Sequence, residues 1–282
     1  MVMHIRTNGN LMNSGISRRS ILAAIPATAV LAACGGPDAG GLGEESFSSD
    51  SGSGNVIDHS AWDALLQEYT SEGSEGVNLV DYARLKNEAL DALAGYLDAL
   101  QTVSIENFGR DEQFAFWVNL YNAATVDVIV QNLPLDSIRD IGLLGSGPWR
   151  DDAVTVAGRA LSLDNIEHDI LRPEWQDVRI HYAVNCASIG CPNLARTAYT
   201  GEKLEDMLEQ ASKSFVNHPR GFGGNPDALI ASNIFEWYQE DWGSEQDVLA
   251  HARQYAEGPT AALLEEAQAI SEYAYDWSLN AA

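Results

Sequence analysis

The chain has 282 residues, 45% of them hydrophobic, with 16 Lys and Arg against 41 Asp and Glu for a formal net charge of −25. That length and apolar content suit one large domain with a substantial core. So acidic a surface repels phosphates, whose capture needs clustered cations, and it excludes nucleic acid as a partner. The acids are scattered rather than blocked, the pattern of a solubilising surface.

Residues 1–33 read as an export signal. Arg18-Arg19 precedes an apolar stretch from Ile21 to Ala33 that is too short for the ~20 helical residues of a bilayer span. Ser17-Arg18-Arg19-Ser20-Ile21-Leu22 resembles a twin-arginine signal with Ile21 where Phe is usual, and a Sec signal carrying two arginines is the alternative. Leu31-Ala32-Ala33-Cys34 resembles the bacterial lipobox. The expectation is cleavage before Cys34, acylation there, and a membrane as partner through that lipid anchor, since two or more chains hold a protein stably. Gly35 rather than Asp after the cysteine resembles sorting to the outer membrane, on the periplasmic face of the cell envelope. Residues 34–55 are the lipidated cysteine and a tether. Gly35 to Asn55 hold seven Gly, five Ser and four acids, a composition that spans roughly 25 Å without packing.

The folded domain is expected over residues 56–282. Apolar periodicity predicts helices over Ala61–Tyr69, Asp81–Leu100, Glu112–Gln131, Asp164–Leu171, Lys203–Val216, Gln246–Tyr255 and Thr260–Gln268. Strand-like runs are Val154–Val156, Arg179–Asn185, Ala228–Ala231 and Ile270–Asp276, with glycine-rich loops at 145–148 and 221–226. Helices outnumber strands without βα alternation. The predicted class is α+β, a helix-rich single domain around a buried central helix with a small antiparallel sheet. That helix is Glu112–Gln131, apolar around nearly its whole circumference. Asn119 and Asn122, three apart on it, need partners, either a neighbouring loop or a polar pocket.

Three polar clusters are candidates for chemistry: Trp117 to Ala123, Leu161 to Arg172 with Asp164 placed to cap the helix bearing Glu167 and His168, and Arg179 to Pro192. Together with Tyr273 to Asn280, these segments resemble the motifs of the family catalogued as domain of unknown function 547. The resemblance runs from about Trp62 to Asn280 and implies a site but no reaction. The residues that match its pattern are Asn119, Tyr121, Asn122, Glu167, His168, His181, Asn185, Cys186, Ser188, Cys191 and Pro192.

With Cys34 lipidated, Cys186 and Cys191 are left as a pair in an oxidising compartment, and a local disulfide shaping the Ser-Ile-Gly turn is expected. The competing reading makes Cys186 a nucleophile with His168 or His181 as base and Glu167 or Asn185 as orienter. In a regular strand His181 and Cys186 point to opposite faces, which favours His168. Two functions stand. One is an envelope binding or structural module for a small molecule or an envelope protein, its ligand met by Asn119, Tyr121, Asn122, Asn185 and Ser188. The other is a Cys/His-dependent hydrolase or acyl-transfer enzyme of papain-like or transglutaminase-like type, although the central helix lacks the cysteine those enzymes carry there. Cys-x4-Cys is a poor zinc spacing, and neither metal nor cofactor is expected.

Overall fold

The computed structural model describes residues 54–142 and 147–282, so the export signal, Cys34 and most of the tether lie outside the described residues. In chain order the elements are α1 Ser60–Tyr69, β1 Thr70–Glu72, β2 Asn78–Val80, α2 Tyr82–Glu88, α3 Leu90–Gln101 and α4 Arg110–Asn132. There follow β3 Asp152–Val156, β4 Arg159–Ser162, a π-helical segment Asn165–Leu171, α5 Arg172–Trp175, α6 Ile180–Ala183 and α7 Leu204–Val216. The last part holds β5 Phe222–Asn225, β6 Ala228–Ser232, α8 Asn233–Trp237, α9 Gln239–Trp242, α10 Glu245–Tyr255, α11 Gly258–Glu266 and β7 Glu272–Ala274. The class is α+β, helices with small sheets.

α4 is the central helix. Trp117, Phe114, Phe116, Leu120, Val126 and Ile129 are buried on different sides of it, because α2, α3 and the segment around Tyr199 enclose it. Its buried Glu112 accepts from the backbone N–H of Ile57 (2.8 Å) and of Gly201 (2.8 Å), which ties the start of the domain to the loop before α7. The helix expected over 81–100 is two helices. Asp81 caps the first by accepting from the Arg84 N–H, and Ala89 leaves helical φ at −137°.

The sheet departs from expectation. Among the described residues three small sheets replace one: β1 with β2 and β3 with β4, both antiparallel, and β5-β6-β7, in which β7 runs parallel to β6. The strand expected over Arg179–Asn185 is instead the short helix α6 followed by extended chain at Val184. Asp177 starts that helix by accepting from the Arg179 N–H (2.9 Å). Every residue from Ile180 to Asn185 is buried, and a fully buried run carries no period by which strand and helix can be told apart.

Two apolar clusters result among the described residues. The larger surrounds α4; the smaller gathers Tyr182, Phe215, Phe222, Phe235, Val248 and Leu249 between α7, β5, β6 and α10. The C-terminal tail laces the two halves. Asn280 accepts from Val80 N–H through its backbone (2.8 Å) and from Tyr82 Oη through its side chain (2.7 Å), while Ser278 and Asp276 carbonyls accept from Ile189 and Gly190 N–H (2.8 Å each). No helix among the described residues is long and apolar enough to cross a membrane.

Candidate functional site

A cavity of about 800 Å³ opens where α4, the π-helical segment, the 184–192 turn, α8 and the tail meet. Aromatic rings make much of its wall: Trp149, Trp237, Tyr238, Tyr275 and Trp277. Trp237, Tyr275 and Trp277 touch one another with ring centroids 4.6–5.4 Å apart, and Trp237 is 44% exposed at the surface. Set among them are Glu167, His168, His181, Cys186 and Cys191.

Glu167 and His168 come from the π-helical segment. Ser162 rather than Asp164 caps its start, accepting from the Asn165 N–H (3.1 Å), while Asp164 is itself helical and faces Arg150 (3.4 Å) and His168 Nε2 (3.8 Å). π-helical turns are rare and recur at functional sites. This one lets two consecutive side chains, Glu167 and His168, reach the same cavity. Arg172 donates to His168 Nδ1 (3.0 Å) and to both carboxylate oxygens of Asp241 (2.7 Å each).

His181 lies 2% exposed, stacked on Tyr238 at 4.2 Å between ring centroids. Its Nε2–H donates to Asp241 (2.7 Å), and Nδ1 stands 3.8 Å from Glu167. Burial would raise the Asp241 pKa, but the bonds from His181 and Arg172 outweigh it and hold the carboxyl well below the usual carboxylate range. Tyr238 and Tyr121 are pushed up by burial and by the Glu167 charge, so both stay protonated and flank that carboxylate.

The cysteines sit on a turn held from several sides. Asn185 donates to Pro192 carbonyl (2.7 Å) and accepts from Ala187 N–H (2.9 Å); Ala187 adopts a left-handed φ of 61°. Gly190 is required, since a Cβ there would lie 2.8 Å from Asp276 N. Arg220 donates to Ile189 carbonyl (2.7 Å) and to Asn193 (2.6 Å). In place of the disulfide expected from the sequence, the structure holds two free thiols with their sulfurs 2.7 Å apart. Both are protein-internal neighbours of Tyr275, whose Oη is 3.0 Å from Cys186 Sγ and 3.1 Å from Cys191 Sγ. Hydrogen bonds from Cys191, Ser188 (3.2 Å) and Tyr275 lower the pKa of half-buried Cys186 against burial and the Glu167 charge. Burial, then the bond to Cys186, pushes Cys191 well up. Of the two thiols, Cys186 is the more acidic.

The expected residues are therefore sorted by the fold. Cys186, His168, His181, Glu167 and Tyr121 line one cavity. The strand geometry that set His181 and Cys186 apart does not apply, because α6 replaces the strand; even so, neither imidazole is among the hydrogen-bond partners of Cys186. Asn119, Asn122, Asn185 and Ser188 do not line the cavity. Asn119 pairs with both backbone groups of Tyr199 (2.8 and 3.0 Å), and Asn122 donates to Ala183 carbonyl (3.0 Å) while accepting from Asn185 N–H (2.8 Å). Asp241, Tyr238 and Tyr275 carry parts of the site that the sequence reading gave no role. Tyr275 falls in the Tyr273 to Asn280 motif segment, while Tyr238 and Asp241 are marked in the sequence by the aromatic density of Trp237-Tyr238 to Trp242. Among the described residues no group of three His, Cys, Asp or Glu is placed to hold a metal ion.

No curated protein and no solved structure matches the chain. The resemblance read over Trp62 to Asn280 is matched over a narrower stretch, which leaves out the tail but contains α4, the π-helical segment and the cysteine turn. Residues 105–216 of this chain match the family described as "Protein of unknown function, DUF547".

Proposed function

We propose that the chain is a lipoprotein, cleaved before Cys34 and tethered through it to the periplasmic face of the outer membrane, whose folded domain is a thiol-dependent enzyme. Cys186 is the nucleophile, and a small molecule held in the aromatic-walled cavity is the substrate. One observation carries the reading: a sulfur with three hydrogen-bond partners that favour its thiolate opens onto a cavity of about 800 Å³. The thiolate forms without an imidazole base, unlike the Cys/His dyad of papain-like hydrolases. Glu167 and His181 are then placed to bind and orient the substrate. A pure binding module is favoured by one feature, the engagement of both imidazoles by Arg172 and Asp241.

Alkylation by iodoacetamide decides between them. Cys186 in the folded chain is expected to react at a lower pH than a free cysteine, whose pKa is about 8.5. Reaction only at or above that pH would leave the binding module as the better reading. For the tether, Cys34→Ser should move the protein from the membrane fraction to the soluble one. A variant as membrane-bound as the parent would refute the anchor.

A further inference from the structure

A nucleophilic thiol needs no second sulfur beside it, yet here one is built in. Cys191 lies 4% exposed, its Sγ 2.7 Å from Cys186 Sγ, and the Tyr275 hydroxyl contacts both atoms. The turn that sets this spacing is fixed by Asn185, by Arg220 and by two backbone bonds to the tail, which hold the two sulfurs side by side. Both cysteines line the cavity, Cys186 half-buried and Cys191 buried. We propose that Cys186 and Cys191 form a dithiol centre that exchanges with a small disulfide bound in the cavity, Cys186 attacking and Cys191 resolving. This inference rests on the reading of Cys186 as a nucleophile and adds the substrate class.

The steps balance with the disulfide as the oxidant. Cys186 thiolate attacks one substrate sulfur; a Cys186-to-substrate S–S bond forms, the substrate S–S bond breaks, and the departing thiolate takes a proton from water. Cys191 then gives up its proton to the second departing sulfur and attacks Cys186 Sγ, forming the Cys186–Cys191 bond and breaking the mixed one. The protein pair loses two electrons and the substrate gains them, leaving as two thiols. The reverse exchange uses the same sulfurs with thiols as co-reactant. The disulfide expected from the sequence as a permanent staple becomes one of two working states of the pair.

The charge around the cavity selects the probe. Asp151, Asp164 and Glu167 line it against Arg150, whose side chain is 92% exposed, so a disulfide bearing positive charges is the complementary one. The full chain is incubated with cystamine, blocked with N-ethylmaleimide and digested with trypsin without reduction. Cleavage after Arg179 and Arg196 leaves both cysteines on the peptide Ile180–Arg196. The expected wild-type peptide is two hydrogens lighter than the dithiol and carries neither cysteamine nor maleimide. Cys191→Ser should stop at a cysteamine adduct on Cys186, formed at least about tenfold faster than an adduct on Cys191 in Cys186→Ser, where the remaining sulfur is the buried one whose pKa burial raises. A wild-type peptide that keeps cysteamine on Cys186 and maleimide on Cys191 overturns the dithiol centre and leaves the nucleophile standing. Maleimide on both, with no adduct, overturns both. These wild-type outcomes need no variant, so a variant that fails to fold hides nothing.

Discussion

Replacing Asn122 by Ala should destabilise the domain and disturb the cysteine turn together. The amide is 2% exposed and spans two backbone groups of the chain leaving α6, Ala183 carbonyl at 3.0 Å and Asn185 N–H at 2.8 Å. Truncation leaves both buried without that partner, at about 1–3 kcal/mol each, hence about 2–6 kcal/mol in all. That is a large part of the ~5–15 kcal/mol that holds a typical domain together. Urea unfolding followed by tryptophan fluorescence measures the loss. Asn122→Leu, which restores volume without hydrogen bonds, should lose as much as the alanine variant; if it recovers wild-type stability, packing and not the amide carries the effect. Asn119→Ala supplies the contrast. It orphans two backbone groups of Tyr199 and should cost a similar amount, but Tyr199 is not on the cysteine turn. Only the Asn122 variants should shift the pH dependence of Cys186 alkylation. A loss below about 0.5 kcal/mol for both Asn122 variants would refute the argument, since surface substitutions of no structural weight fall in that range.

Tyr275→Phe removes a hydroxyl whose contact with Cys186 Sγ lowers that thiol's pKa, so the midpoint of its alkylation against pH should move upward; an unmoved midpoint would show that Cys191 and Ser188 suffice. Burial lowers the His59 pKa from 6.5 to about 4, while Tyr96 Oη lies 2.7 Å from Nδ1. The unfolded chain therefore takes up a proton first as pH falls, so stability is full above about pH 6.5 and declines toward pH 4. His59→Asn should show a smaller fall in urea midpoint between pH 7 and pH 5 than wild type, with the remainder including His251, which burial also lowers to about 4. Gly190→Ala places a methyl 2.8 Å from Asp276 N and should cost about 1–3 kcal/mol by prising the turn from the tail, read as a drop in thermal midpoint.

What was legible in the sequence follows from periodicity. α4, α7 and α10 lie within two residues of their expected limits, α7 and α10 because each keeps an apolar stripe against polar residues, α4 because it is apolar nearly all round. The 179–185 segment reads as strand from its β-branched and aromatic residues, yet all of 180–185 is buried, and burial without alternation says nothing about the local period. Gly223 and Gly224 look like turn residues, so the sequence of β5 reads as loop; in the fold they pair with Ile230 and Leu229 across the hairpin. The parallel β7 partnership joins residues some forty positions apart and leaves no local mark. The cavity residues Glu167, His168, His181 and Cys186 were legible as chemically capable side chains. Asp241 and Tyr275 were not, because their roles exist only through contacts with His181 and with the two sulfurs.

The fate of the asparagines has a physical reason that also bears on the site. A neutral amide carries one donor end and one acceptor end, so it can satisfy both polar groups of an irregular backbone in the dry interior. Asn119 does so at Tyr199, Asn122 across Ala183 and Asn185, and Asn185 across Pro192 and Ala187. Around the cavity the ionisable groups are not stored that way, since burying a charge without a partner costs several kcal/mol. Such groups end up paired, as Asp241 is with Arg172 and His181, or at a wall that solvent and ligand can reach, as Asp164, Glu167, His168 and Cys186 are. The amides of the motif thus shape the backbone that aims the sulfur, and the titratable residues of the same motif line the space in front of it. A substitution in the first set should act through stability and the geometry of residues 183–187, and one in the second through binding and reactivity at nearly unchanged stability. Glu167→Gln tests the division: it keeps the side chain's shape and should weaken binding of a cationic probe such as cystamine while leaving the urea midpoint within about 1 kcal/mol of wild type. A collapse of the fold would place Glu167 with the structural set instead.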